Sequence, residues 1–236
     1  MCSTAPRTLR ARSREEKEPN ALRRSLRSPS SMADAPRMRD LASSDDLLQV
    51  WFGDPQSPPL ASAKKWFTKD EAFDRALREQ FEATLEAAAR GELASWKSTP
   101  RGKVALIILL DQLSRNMFRG SPRSFTQDAL ALALTLEVLA SGEDRALGPA
   151  FRYFVLMPLM HAEDVAHQRR CVAEFEALLA DAPEDWKPLL TNAVDYAGRH
   201  AVIVERFGRF PHRNAVLGRE STPEEVEFLK QPGSSF

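Results

Sequence analysis

From residue 44 onward, apolar positions recur with a period near 3.6 residues. Phe73, Leu77, Phe81 and Leu85 stand four apart, which lays one apolar stripe along a helix. Ser44, followed by Asp45 and Asp46, suits the first turn of a helix running to Phe52, and Gly53-Asp54-Pro55 ends it. Gly91 follows the Phe73–Leu85 stripe as a C-terminal stop. Thr99-Pro100 reads as an N-cap and N1 proline, opening a helix through Leu106 to Phe118. Ser124 to Leu139 repeats the pattern and stops near Gly142. Phe151 to Met160 is a further apolar helix with Pro158 inside it, where the missing N–H predicts a kink. Glu163 to Leu179 turns Val172, Phe175 and Leu179 inward, and Leu189 to Phe207 follows, broken at Gly208. Thr222-Pro223-Glu224-Glu225 has the form of a capping box before a short helix to Lys230. No segment alternates with period two, so no strand is predicted. Short connections place successive helices antiparallel. The prediction is an all-α domain over residues 41–236, a single compact array of helical hairpins, either a bundle or a short solenoid, without sequence repeats.

Residues 1–40 lack this periodicity. They are rich in Arg, Ser and Pro and carry a net charge of +5, a composition that predicts a disordered basic leader. There is no apolar stretch of the secretory kind, and Glu15, Glu16 and Glu18 disfavour a transit peptide. Met32 and Met38 stand just before the periodic region, so a start codon placed too far upstream is one account of the leader.

Composition narrows the class. With 43% hydrophobic and 28% charged residues, the chain can bury a sizeable core. Its longest apolar run, residues 104–110, is far shorter than the roughly 20 residues that cross a bilayer, so no membrane association is expected. The formal net charge is zero, leaving residues 41–236 mildly acidic. That argues against nucleic-acid binding, including RNA contact through the leader. Cys2 and Cys171 are the only cysteines. One lies in the leader, so no disulfide is expected, a reducing, cytoplasmic setting fits, and Cys171 is read as a small core residue.

Three polar clusters interrupt the apolar pattern. Asp111, Gln112, Arg115, Asn116 and Arg119 continue directly from the wholly apolar run. A helix apolar all round is buried, so its polar continuation faces the interior or a cleft. Asp111 and Arg115 can pair along it, either as a plain ion pair or as part of a site. The second cluster is Met157-Pro158-Leu159-Met160-His161-Ala162-Glu163-Asp164, with Gln168 a turn later. His161 is either a hydrogen-bonded core histidine or a proton-transfer group. On a continuous helix His161 and Glu163 diverge by about 200° and meet one ligand only if the helix breaks between them. The third is Arg206-Phe207-Gly208-Arg209-Phe210-Pro211-His212-Arg213-Asn214, extended to Arg219 and preceded at helical spacing by Tyr196 and His200. Four arginines with no carboxylate among them must pair elsewhere or bind an anion, and guanidinium forks hold carboxylate and phosphate in two-toothed fashion. The templates HExxH, GxGxxG, GxSxG and the P-loop are absent. A metal centre from Asp111, His161, Glu163 and His200 is conceivable but not indicated by the spacing, and no cofactor is identified.

Leu109-Leu110-Asp111-Gln112-Leu113-Ser114-Arg115-Asn116, Pro158-Leu159-Met160-His161-Ala162-Glu163, the Arg206–Asn214 motif and Leu217-Gly218-Arg219 together resemble the bacterial family called domain of unknown function 924. The resemblance runs from about Leu47 to Phe228. It implies a tetratricopeptide-like all-helical fold and brings no established activity. The family carries His-Ser-Glu where this chain has His161-Ala162-Glu163, so no role falls to a serine hydroxyl here. The resemblance implies as signature positions Asp111, Gln112, Arg115, Asn116, His161, Glu163, His200, Arg206, Arg209, His212, Arg213, Asn214 and Arg219.

The leading expectation is a pocket for a small anionic molecule, held by Arg115, Arg206, Arg209 and Arg213. Asp111, Gln112, Asn116, Asn214 and Arg219 are grouped with these as ligand-binding. His161, His200 or His212 would transfer protons, oriented by Glu163 or Asp111, in hydrolysis or group transfer on an acidic metabolite. The alternatives are a helical-repeat-like module that binds a protein or peptide partner without catalysis, and a buried ion-pair network that binds nothing.

Overall fold

The computed structural model describes residues 41–53, 60–61 and 63–235. The leader, Cys2 and the Asp54-Pro55 stop lie outside the described residues. Those residues form one compact, all-helical domain with no strand among them.

Helix α1 (Ser44–Phe52) starts one residue earlier than the acidic pair suggests. Ser43 is its N-cap, and the Ser43 and Asp46 side chains cap each other's backbone in a closed box. Gly53, at φ 82°, ends it. α2 (Ala63–Phe67) is tied to α1 by the Trp66 indole N–H, which donates to the Trp51 carbonyl at 2.8 Å. α3 (Glu71–Ala89), capped by Asp70, buries Leu77, Phe81 and Leu85 along the predicted stripe.

α4 (Pro100–Ile108) opens on the Thr99 cap and Pro100 as predicted. It is buried on all sides, from Val104 to Ile108, and packs against α1, α6 (Asp128–Ser141) and α7 (Pro149–His161). The rod does not continue as a plain α-helix to Phe118. Residues Leu109–Leu113 form a π-turn before α5 (Ser114–Met117). Such widened turns inside helices often accompany function, and this one carries Asp111 and Gln112.

α7 continues through Pro158 without interruption. Pro158 cannot serve the carbonyl four residues back, and the Thr135 hydroxyl of α6 donates to the adjacent Val155 carbonyl at 2.9 Å. α7 ends at His161 because Ala162 turns extended, at φ −73° and ψ 134°. Gln168, fully buried on α8 (Val165–Asp181), then donates to the carbonyls of Met160 and Ala162, both at 2.7 Å. One side chain thus satisfies the end of the preceding helix. α9 (Lys187–Phe207) packs along α8 and stops at Gly208, whose φ of 70° favours glycine. The short α10 (Asn214–Leu217) and α11 (Pro223–Leu229) complete the chain, α11 with the Thr222–Glu225 capping box intact.

The main core joins α1 to α9. A smaller cluster of Ile203, Val204 and Phe210, with Val165, Phe207 and Phe228 against it, seats the C-terminal segment on α9. Cys171 is free and fully buried, and burial pushes its thiol up, in keeping with a core residue.

Candidate functional site

The π-turn aims Asp111 at the last residue of α7. Asp111 has no exposed surface. Its carboxylate accepts from His161 Nδ1, at 2.8 and 2.9 Å to its two oxygens, and from the Gln112 amide; Arg115 Nη1 pairs with it at 3.0 Å while donating to the Asp111 backbone carbonyl at 2.8 Å. Burial pushes the Asp111 carboxyl up. The charge of Arg115, with hydrogen bonds from His161 and Gln112, outweighs that and holds it well below the usual carboxylate range. An ionised Asp111 can only accept, so His161 carries its proton on Nδ1. Burial first, then the charge of Arg115, lower the His161 pKa, with Asp111 opposing them. The imidazole is therefore neutral at pH 7, and Nε2, on the far side of the ring, holds a lone pair.

The break at Ala162 brings His161 and Glu163 to one cleft despite their spacing. This cavity of about 460 Å³ is lined by Phe125, Asp128, Pro158, His161, Glu163 and Arg213, among others. Arg213 is the cation that faces it. The side chain is 7% exposed and lies between the rings of Phe125 and Phe210, 4.7 and 4.6 Å from their centroids. Its contact with Asp128 is long, 3.4 Å, because Arg115 already holds the same oxygen at 2.9 Å. Arg213 Nε and Asp128 Oδ1 are buried without a partner among the described residues. Burial and the neighbouring Arg115 pull Arg213 down to about 10, still charged at neutral pH.

The other arginines of the motif are engaged. Arg219 forks onto both oxygens of Glu163 and reaches the Phe210 carbonyl. Glu163 also accepts the Phe210 backbone N–H at 2.8 Å. Arg209 forks onto the buried Glu225 at 2.7 and 2.8 Å, and Asn214 donates to the same carboxylate. Arg206 pairs with Glu224 at the surface. Neither Arg206 nor Arg209 lines the cleft. Asn116 and Arg119 both bind Asp74 of α3. Arg115, Arg213 and Arg219 thus meet Asp111, Asp128 and Glu163; of these, Arg213, Asp128 and Glu163 line the cleft together with Asp164, and Arg213 is the least well paired.

His200 is buried, with Nδ1 2.7 Å from the Tyr196 carbonyl and its ring edge-on to Phe210. Burial takes its pKa down to about 3. Burial, then Arg213, takes that of His212 down to about 4. Asp111, His161, Glu163 and His200 do not form a metal centre, since each has another partner. Among the described residues no group of three or more His, Cys, Asp or Glu side chains is placed to hold a metal ion.

Asp128 and Glu225 were not singled out in the sequence. Asp128 looks like an ordinary first-turn acid of α6, and Glu225 like a capping-box residue alone. Only the tertiary fold turns them toward Arg115, Arg213 and Arg209.

An all-helical domain with a buried carboxylate–histidine pair beside a cleft lined by Arg213 and three carboxylates is the class that fold and site define. The chain belongs to the family described as "Bacterial protein of unknown function (DUF924)", which matches residues 47–233. It is similar to a solved structure from Agrobacterium tumefaciens, the protein of unknown function ATU0120, at 38% sequence identity and a TM-score of 0.67. The match covers 80% of this chain and 97% of that one. No curated protein matches. No helix among the described residues is long and apolar enough to cross a membrane.

Proposed function

We propose that the cleft beside His161 binds a small anionic ligand and that His161 acts there as a general base in hydrolysis or group transfer on an acidic metabolite. The observation that carries this reading is the Asp111–His161 pair. A fully buried carboxylate fixes the tautomer and orientation of a neutral imidazole, leaving its second nitrogen for chemistry, and the histidine lines a cavity. That is the arrangement a base needs to take a proton from water or a hydroxyl. In hydrolysis, Nε2 would accept the water proton as the oxygen bonds to the electrophilic centre, then return it to the leaving group. Arg213, charged and incompletely paired, would receive the carboxylate or phosphate of the ligand, and Arg115 would support it. Glu163, Arg219, Arg209 and Glu225 would hold the 208–225 segment that carries Arg213. We also infer that α6 to α9, each packed on its sequence neighbour, form antiparallel hairpins of the tetratricopeptide-like kind, in a cytoplasmic protein.

The test is a thermal-shift screen of small carboxylates and phosphates against the wild type, Arg213→Met and His161→Asn. At least one acid is expected to raise the Tm of the wild type and of His161→Asn but not of Arg213→Met. Turnover of an ester or amide that keeps that acid group free should fall at least about a hundredfold in His161→Asn, the scale of a lost general base. A panel in which no acid shifts the wild type overturns the reading.

A further inference from the structure

His161 lines both the arginine cleft and a second cavity. The second, of about 520 Å³, lies between α7 and α9. The last turn of α7 divides them. Pro158 and Ala162 face the arginine cleft, Met157 and Met160 face the second cavity, and His161 stands at the boundary. The two differ in chemistry. The arginine cleft contains Asp128, Glu163, Asp164 and Arg213. The second is walled mainly by Phe67, Tyr153, Met157, Met160, Leu189 and Tyr196, with no carboxylate, and Arg199 at its edge lies over the Tyr196 ring and pairs with Asp195. Its size is that of a small-molecule pocket, and its methionines can adapt to an irregular apolar shape.

We infer that the ligand is amphipathic. Its acidic group sits at Arg213, its aromatic or branched apolar portion fills the α7–α9 cavity, and the bond acted upon lies between them at His161 Nε2. This rests on the anion-binding reading above and adds the substrate class. An acid alone would leave the aromatic cavity solvated. A purely apolar molecule would leave Arg213 short of a partner, and a ligand spanning both brings its central bond past the histidine.

Calorimetric titration of the full chain with matched probes tests it: butyrate, 4-phenylbutyrate and 4-phenylbutanol. The wild type should bind 4-phenylbutyrate at least about tenfold more tightly than butyrate, the least that burying a phenyl ring contributes. 4-Phenylbutanol should bind at least about tenfold more weakly than 4-phenylbutyrate, for want of the charged group. Tyr196→Ala, at a half-exposed wall position, should erase the phenyl advantage without altering butyrate binding. Arg213→Met should erase the advantage of acid over alcohol. Equal binding of butyrate and 4-phenylbutyrate, still dependent on Arg213, overturns the two-cavity inference and leaves the anion reading standing. Equal binding of acid and alcohol overturns the coupling of the cavities. Failure of every acid overturns both readings.

Discussion

Replacing Asp111 by asparagine tests the core of the site with almost no change in shape. The carboxylate accepts hydrogen bonds from His161 and Gln112, is ion-paired with Arg115, and has no exposed surface. Asparagine offers a single accepting oxygen, and its amide turns two N–H groups toward donors. If that oxygen faces His161, Gln112 loses its partner. Arg115 loses one of its two carboxylates, keeping Asp128 and the Asp111 carbonyl. An orphaned buried donor costs about 1–3 kcal/mol, and breaking a buried ion pair from one side about 3–5 kcal/mol. Since Arg115 retains Asp128, we expect a loss of about 3 kcal/mol in urea unfolding monitored by circular dichroism, with unchanged m-value. Asp111→Leu should cost more, because it leaves Arg115 and His161 both facing an apolar surface. A loss below about 1 kcal/mol for Asp111→Asn, the range of a surface pair, would refute the claim that this carboxylate organises the interior.

Acid should destabilise the fold early. His200 and His212 have folded pKa values of about 3 and about 4, below the unfolded value of roughly 6.5. The stability their neutral forms contribute is therefore fully present above about pH 6.5 and is lost as pH falls toward 4 and then 3. For His200 the slope approaches about 1.4 kcal/mol per pH unit. Urea midpoints between pH 7 and 5 should show it, and His200→Phe should flatten the curve. An unchanged slope in that variant would mean the buried-histidine account is wrong. Gln168→Leu should cost about 2–3 kcal/mol by orphaning the Met160 and Ala162 carbonyls, and should weaken ligand binding as well. Stability loss with binding intact would show that Gln168 holds the helix end without positioning His161.

Much of the fold was legible because local chemistry sets element ends. Thr99-Pro100, the Thr222–Glu225 box, Gly142 and Gly208 all act within one turn of themselves. The π-turn was not legible. It lies where residues 104–113 are apolar nearly throughout, and a helix without a polar face has no phase for a one-residue shift to disturb. In the site, Asp111, Arg115, His161 and Arg213 stood out as charged or titratable groups in apolar settings. Their partners Asp128, Asp74 and Glu225 did not, because each also suits an ordinary helix position, and which arginine meets which carboxylate depends on contacts distant in sequence. The helix break that lets His161 and Glu163 share a cleft was foreseen only as a condition.

The π-turn makes the α4–α5 rod a two-phase device. Upstream and downstream flanks of a helix are locked to one rotational register, and each inserted or deleted residue rotates one against the other by about 100°. Here the widened turn lets Asp111 meet His161 on α7 while Asn116 and Arg119, one to two turns on, meet Asp74 on α3. Deleting one residue among Leu109–Leu110 would restore an unbroken α-helix and bring the flanks out of step. The core side could keep Asp111 at His161, or the α3 side could keep its grip on Asp74, but not both. A length change that most helices would absorb by sliding would here uncouple the histidine from the scaffold that orients it.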